Sequence, residues 1–207
     1  PTSRYIMKTL DKKEIAQNKI LDAAYEVFVG KGYSDTTMDD IVKKSEMSKG
    51  AIYHYYSSKK ALFLALIDHW ETYSFPDFYT NNKKNKSASE ILKDITDVVY
   101  DVYKTKKHVF LAEVEFWSLA NKDNEVKEKS KVLYEKLLFL FELVLKKGIR
   151  EKEFKDVDTK VVSMSILSSI QGINWFCLFD DSSIDAKMYL NTSIDLLINS
   201  LKRKNDE

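Results

Sequence analysis

The stretch that decides the fold is residues 36–63, TTMDDIVKKSEMSKGAIYHYYSSKKALF. Thr37 precedes Met38-Asp39-Asp40, an N-cap followed by acidic residues in a first turn, where the helix dipole favours them. The helix so started is short, ends near Ser45 and turns Met38, Ile41 and Val42 to one side. Three residues later Ser48 caps a second short helix reaching about Tyr56. At about 100° per residue, Ile52 and Tyr56 share one face of it, while Gly50, Tyr53 and His54 project from the other with Lys49 on the border. Ile52 and Tyr56 therefore anchor this helix on a core, and the opposite face is left for a partner. Glycine near a helix start costs about 1 kcal/mol relative to alanine, a penalty that makes sense at Gly50 if a backbone must come close to something. Lys49 and Lys59 flank the face near helix N-termini, where free N–H groups favour phosphate.

Working outward, Ala16, Ile20, Ala23, Ala24, Val27 and Phe28 form the buried stripe of a helix from Lys12 to Lys31, with Gly32 as its stop. Two short helices joined by a tight turn and packed on this longer one make a three-helix helix-turn-helix head. Ser57 or Ser58 caps a fourth helix to about Tyr73, and Pro76 follows it. Residues 77–89 are a polar connection. Beyond it the periodicity predicts helices over about 89–105, 107–120, 125–150, 157–179 and 186–203. No alternating β-branched run suggests a strand. The expected fold is all-α with about nine helices, residues 1–57 forming the helix-turn-helix head and 58–207 a helical body.

With 44% hydrophobic residues the chain can bury a substantial core, which excludes a disordered protein. No apolar run reads as a membrane span and no leader pattern opens the sequence. The single cysteine, Cys177, excludes an internal disulfide and suits a reducing cytoplasm; in its apolar stretch it reads as a packing thiol. Residues 1–60 carry eleven Lys and Arg against eight Asp and Glu, a mild positive bias that permits a phosphate-binding head without demonstrating one. The three histidines, His54, His69 and His108, lack metal spacing, and there is no phosphate loop or nucleophile elbow. Neither an enzyme, a metal site nor a cofactor is expected.

The run Ile20, Ala23, Ala24, Phe28, Gly32, Tyr33, Thr36, Thr37, Met38, Ile41, Ser45 and then MSKGAIYHYYSSKKALF from Met47 to Phe63 resembles the DNA-binding head of the tetracycline-repressor (TetR) family of transcription regulators. The resemblance implies that the helix after Ser48 enters the major groove, with Lys49, Gly50, Ala51, Tyr53, His54 and Tyr55 at the DNA. It implies that Thr37 and Lys59 touch the phosphate backbone, that Ser48 caps, and that Tyr56, where the family usually has Phe, belongs to the core. In the body one fragment fits, Gly148 to Phe154, although Lys152 stands where the family often has a second glycine.

The resemblance further implies a small-molecule pocket and a homodimer, which makes 1–57 the DNA-binding domain and 58–207 the ligand-binding and dimerisation domain. Apolar stripes on 157–179 and 186–203 suit a four-helix bundle between two chains, and would equally suit plain core within one. Trp70, Tyr73, Phe110, Trp117, Tyr134 and Trp175, with Glu113 and Gln171, are the candidate ligand residues, for an apolar or aromatic ligand. Glu113 and Glu115 read either as a solvated helix face or as buried carboxylates facing a cation. The expected function is a ligand-released repressor that binds a near-palindromic operator as a dimer. The alternatives are a helical protein-interaction module and a DNA-binding regulator without an inducer.

Overall fold

The computed structural model describes residues 12–74, 85–179 and 183–203. Within them lie ten helical segments: α1 (Lys12–Asp35), α2 (Met38–Ser45), α3 (Lys49–Tyr55), α4 (Lys59–Ser74), α5 (Ala88–Thr105), α6 (His108–Ala120), α7 (Asn124–Arg150), α8 (Thr159–Gln171), α9 (Ile173–Phe179) and α10 (Ala186–Leu201). No β-ladder forms among these residues; one isolated bridge joins Phe154 to Lys202. The chain divides into two units, Pro1–Leu66 and Ile67–Glu207.

In the first unit Ile20, Ala24, Tyr25, Phe28, Ile41, Ile52, Leu62 and Phe63 are all shut off from solvent. The Phe28 and Phe63 rings meet edge to face at 5.1 Å, and Tyr33 meets Phe63 at 4.8 Å. Gly32 adopts φ +76° and ψ 163°, outside the helical range, so the long run of α1 is broken there, where the sequence placed its stop, and a further short turn reaches Asp35. Thr36 Oγ1 closes the turn by donating to the Gly32 carbonyl at 2.7 Å. The division between the units falls inside α4. Leu62, Phe63 and Leu66 are buried, and the Tyr25 hydroxyl donates to the Leu66 carbonyl at 2.8 Å.

In the second unit four helix starts carry side-chain caps. Ser87 and Glu90 form a capping box on α5, and Asp123, Asp158 and Asp185 cap α7, α8 and α10. Glu153, after α7, adds a long-range cap by accepting from the Ala88 and Ser89 amides at 2.7 and 3.0 Å. The sequence reads 157–179 as one helix, but it is interrupted at Gly172. There a Cβ would lie 1.9 Å from the Tyr189 hydroxyl oxygen, which itself donates to the Ser169 carbonyl at 2.6 Å. By length and composition Thr159–Phe179 could cross a membrane, which the reading of apolar runs had not recognised. It is nevertheless broken in the middle, and its Ser163, Gln171 and Asn174 are buried or half-buried. Pro76 and most of the polar connection over 77–89 lie outside the described residues.

The turn after α7 settles the geometry at Lys152. Its φ is +62°, the left-handed region, and the following amides of Glu153 and Phe154 donate back to the Gly148 carbonyl at 2.9 and 3.1 Å. Lys152 is exposed, so the strain is not offset by packing. Lys152→Gly is expected to stabilise the protein by about 0.5–1 kcal/mol, raising the melting temperature by about 2–3 °C. A calorimetric scan showing a lower melting temperature would contradict this.

Candidate DNA interface and ligand cavity

Helix α3 presents two unlike sides. Ile52 is fully buried and Tyr56, at its C-cap, is 8% exposed, whereas Tyr53 is 42% exposed and Lys49, Gly50 and His54 are open to solvent. Ala51 and Tyr55 lie between these extremes. The Tyr56 hydroxyl is hydrogen-bonded to Gln17, and burial pushes its phenol upward, which accounts for a tyrosine at the edge of this core. Ser48 accepts from the Ala51 amide at 3.2 Å as N-cap. Glu46, in the left-handed conformation at φ +55°, makes the turn out of α2. A Cβ at Gly50 would meet nothing within 4 Å, so no neighbour in this chain requires glycine there.

The charged residues are already engaged. Lys49 Nζ lies 2.7 Å from Asp39 Oδ1 and 6.0 Å from the centre of the Tyr53 ring. That carboxylate raises the lysine's pKa. Thr37 caps α2 and Asp40 returns the bond to the Thr37 amide at 2.9 Å. Lys59 donates to the Tyr33 and Ser34 carbonyls at 2.7 and 3.2 Å, with its ammonium 4.5 Å from the Tyr33 ring centre. Lys59 thus ties the end of α1 to the start of α4, a role absent from the sequence reading, which weighed a phosphate contact against a solvated charge.

The second unit holds a cavity of about 50 Å³ lined by Trp70, Glu71, Ile95, Val99, Phe110, Glu113, Leu137, Leu140, Phe141, Leu167, Ile170 and Gln171. Trp70 is fixed by donating from Nε1 to the Val109 carbonyl at 2.9 Å. Glu113 is only 4% exposed, so it belongs to the buried alternative and not to a solvated face; Glu115 is half-buried. The Glu113 carboxylate accepts from Gln171 Nε2 at 2.9 Å and Asn174 Nδ2 at 3.3 Å, spanning the break at Gly172 from both sides. A smaller cavity of about 30 Å³ touches Glu113, Phe116, Trp117, Ser130, Tyr134 and Gln171. The buried Ser130 Oγ and Asn174 Oδ1 atoms have no hydrogen-bond partner. Burial pushes the Cys177 thiol up to about 11, as expected of an inert packing thiol. Among the described residues no three His, Cys, Asp or Glu side chains gather as a metal site.

With this geometry in view, comparison with known proteins is direct. Residues 20–66 match the family description "Bacterial regulatory proteins, tetR family", and residues 71–203 match "QacR-like protein, C-terminal region". The uncharacterized HTH-type transcriptional regulator YfiR of Bacillus subtilis is 30% identical, covering 89% of this chain and 94% of its own. The HTH-type transcriptional regulator QacR of Staphylococcus aureus is 27% identical, covering 90% and 98%. The chain belongs to the TetR family. It is a helix-turn-helix, DNA-binding transcriptional regulator. Among solved structures, FadR from Bacillus subtilis in complex with stearoyl-CoA superposes with a TM-score of 0.77 at 20% identity, covering 89% of this chain and 98% of that one. A regulator from Saccharomonospora viridis in complex with choline gives 0.79 at 15%, covering 92% and 99%. At these identities the likeness is one of fold.

Of the expected ligand residues, the structure brings Trp70, Phe110, Glu113 and Gln171 onto the larger cavity. Trp117 and Tyr134 reach only the smaller one and are 44% and 37% exposed. Trp175, 63% exposed, lies on an open groove with Trp117 and Leu178. The Tyr73 side chain lies outside the described residues. Sequence reading missed the aliphatic wall of Ile95, Val99, Leu137, Leu140, Leu167 and Ile170 together with Glu71. The stripe of Ile91, Ile95 and Val99 on α5 was its available signal.

Burial drives Glu113 up to about 7, and the two amide hydrogen bonds offset this only in part. The folded protein then holds a proton that the unfolded chain has released, so stability falls as pH rises from about 4.5 through about 7. Against Glu113→Gln, the wild type is expected to lose on the order of 3 kcal/mol between pH 5 and pH 8. Urea unfolding at the two pH values measures the difference, and an unchanged gap between the proteins would refute the assignment.

Proposed function

We propose that this TetR-family regulator is a homodimeric repressor that binds a near-palindromic operator through paired α3 helices and releases it on binding a small molecule. The observation that carries the dimer is an exposed apolar face on α8, α9 and α10. Val161 and Trp175 are each 63% exposed, Phe179 and Leu196 66%, and Met188 60%. A face of this kind is costly in water and suits burial against a second copy as a helical bundle. The contact proposals for DNA are Thr37, Ser48, Lys49, Gly50, Ala51, Tyr53, His54, Tyr55 and Lys59, arranged on and around the exposed side of α3. Operator binding places the protein in the cytoplasm.

The proposed inducer has an apolar or aromatic body that fits between Trp70, Phe110 and the aliphatic wall, with one group meeting Glu113. A cavity of about 50 Å³ is far below the roughly 300 Å³ or more of a ligand pocket, so the ligand has to open it. Binding then favours whichever conformation holds the enlarged cavity. Helix α4 supplies Leu62 and Phe63 to the core of the first unit and Trp70 to the cavity wall of the second. Displacing Trp70 therefore acts on a helix that also belongs to the DNA-binding head.

Leu196→Asp is expected to yield a folded monomer by light scattering that binds operator DNA at least tenfold more weakly; a variant that stays dimeric refutes the face. With an operator selected from a random pool, Tyr53→Ala is expected to lose about tenfold in preference over random DNA. Preference equal to the wild type's would show that Tyr53 does not read sequence.

A further inference from the structure

Asp39 and Asp40 are neighbours at the start of α2 and do different work. Asp40 is consumed locally. Its Oδ2 accepts from the Thr37 amide and hydroxyl at 2.9 and 2.7 Å, and its Oδ1 meets Lys31 Nζ at 2.5 Å. The Lys31 bond first, then those from Thr37, hold its carboxyl well below the usual range. Asp39 takes no part in that cap. Its carboxylate instead reaches the first residue of α3, 2.7 Å from the Lys49 ammonium, which itself lies 6.0 Å from the centre of the Tyr53 ring. Both partners are open to water, with 60% of the Lys49 side chain and 70% of the Asp39 side chain exposed. An internal anion thus occupies a lysine on the side of α3 that faces away from the protein core.

We infer that Asp39 is a built-in competitor for Lys49, holding its ammonium in the unbound protein and giving it up only when a DNA phosphate takes its place. This rests on the reading of α3 as the DNA-facing helix. An ion pair so exposed is weak and screened by salt, so the dense charge of a duplex can displace it. The cost of displacement is the same at every sequence. Asp39 therefore trims the sequence-independent part of the affinity, the part supplied by neutralised phosphates and released counterions. Base contacts from Tyr53 and His54 are unaffected. Asp39 is a residue that sets how strongly the regulator holds DNA in general.

The test uses the full chain and a labelled duplex of random sequence, titrated at several salt concentrations with the wild type, Asp39→Asn, Lys49→Met and the double variant. The α2 cap uses Thr37 and Asp40, so Asp39→Asn leaves it intact. Asp39→Asn is expected to bind up to about fivefold tighter near 0.1 M salt, the gain shrinking as salt rises because the exposed ion pair it removes is itself screened. The same substitution adds nothing in the Lys49→Met background. No gain in the single variant overturns the inference, as does an equal gain in both backgrounds, which would be plain repulsion of DNA by Asp39. A wild type with no salt-dependent affinity would overturn the DNA-facing reading itself. Salt-dependent wild-type binding with an unresponsive Asp39→Asn overturns this inference alone.

Discussion

Burial of Ile52 and Tyr56 is the constraint on which the DNA-binding head depends. A helix of seven residues is far too short to persist in water on its own hydrogen bonds. Helix α3 exists because those two side chains are anchored in the core and because Ser48 satisfies an amide at its start. Anchoring one side fixes the direction of the other. Once Ile52 points inward, Lys49, Tyr53 and His54 have nowhere to go but out. The surroundings reinforce that orientation: the left-handed Glu46 sets the turn before α3, and Lys59 fastens the start of α4 to the end of α1.

The body solves a different problem. Its interior is almost entirely apolar, yet it holds a carboxylate, and a buried charge is tolerable only with hydrogen-bond partners or a proton. Glu113 has both remedies in part: two amide donors and a pKa pushed up to about 7. Those donors come from Gln171 and Asn174, which flank the point where Gly172 interrupts the helix against Tyr189. A group that competes for this carboxylate would therefore disturb the bonds across that break. The unpartnered Asn174 Oδ1 and Ser130 Oγ atoms lie in the same region, so its polar network is incomplete as it stands.

Periodicity and capping residues were enough to read most helices, because those signals are local. Thr37 and Ser48 cap where their sequence context indicated, and Ile52 and Tyr56 were legible as the inward face of α3. Features set by distant contacts were not legible. The close approach at Gly172 is made by Tyr189, and the carboxylate of Glu113 is bonded by amides some sixty positions away. Aromatic residues drew attention as ligand candidates, yet Trp175 is largely exposed while plain aliphatics build half of the cavity wall. Size and hydrophobicity say that a side chain prefers burial, but not which surface, partner or cavity receives it. Lys59 shows the same limit for charge: the two carbonyls it bonds lie about twenty-five positions away in the sequence.

The account turns on the outward side of α3 lying against DNA, and site-specific photo-crosslinking measures that contact directly. A photoreactive phenylalanine analogue would be placed at Tyr53 and, as a control, at the exposed Phe139 of α7. Irradiated with a duplex carrying the selected operator, the protein labelled at position 53 is predicted to crosslink to bases within the site and the control is not. Crosslinking from position 139, with none from position 53, would contradict the claim that this face of α3 meets the duplex.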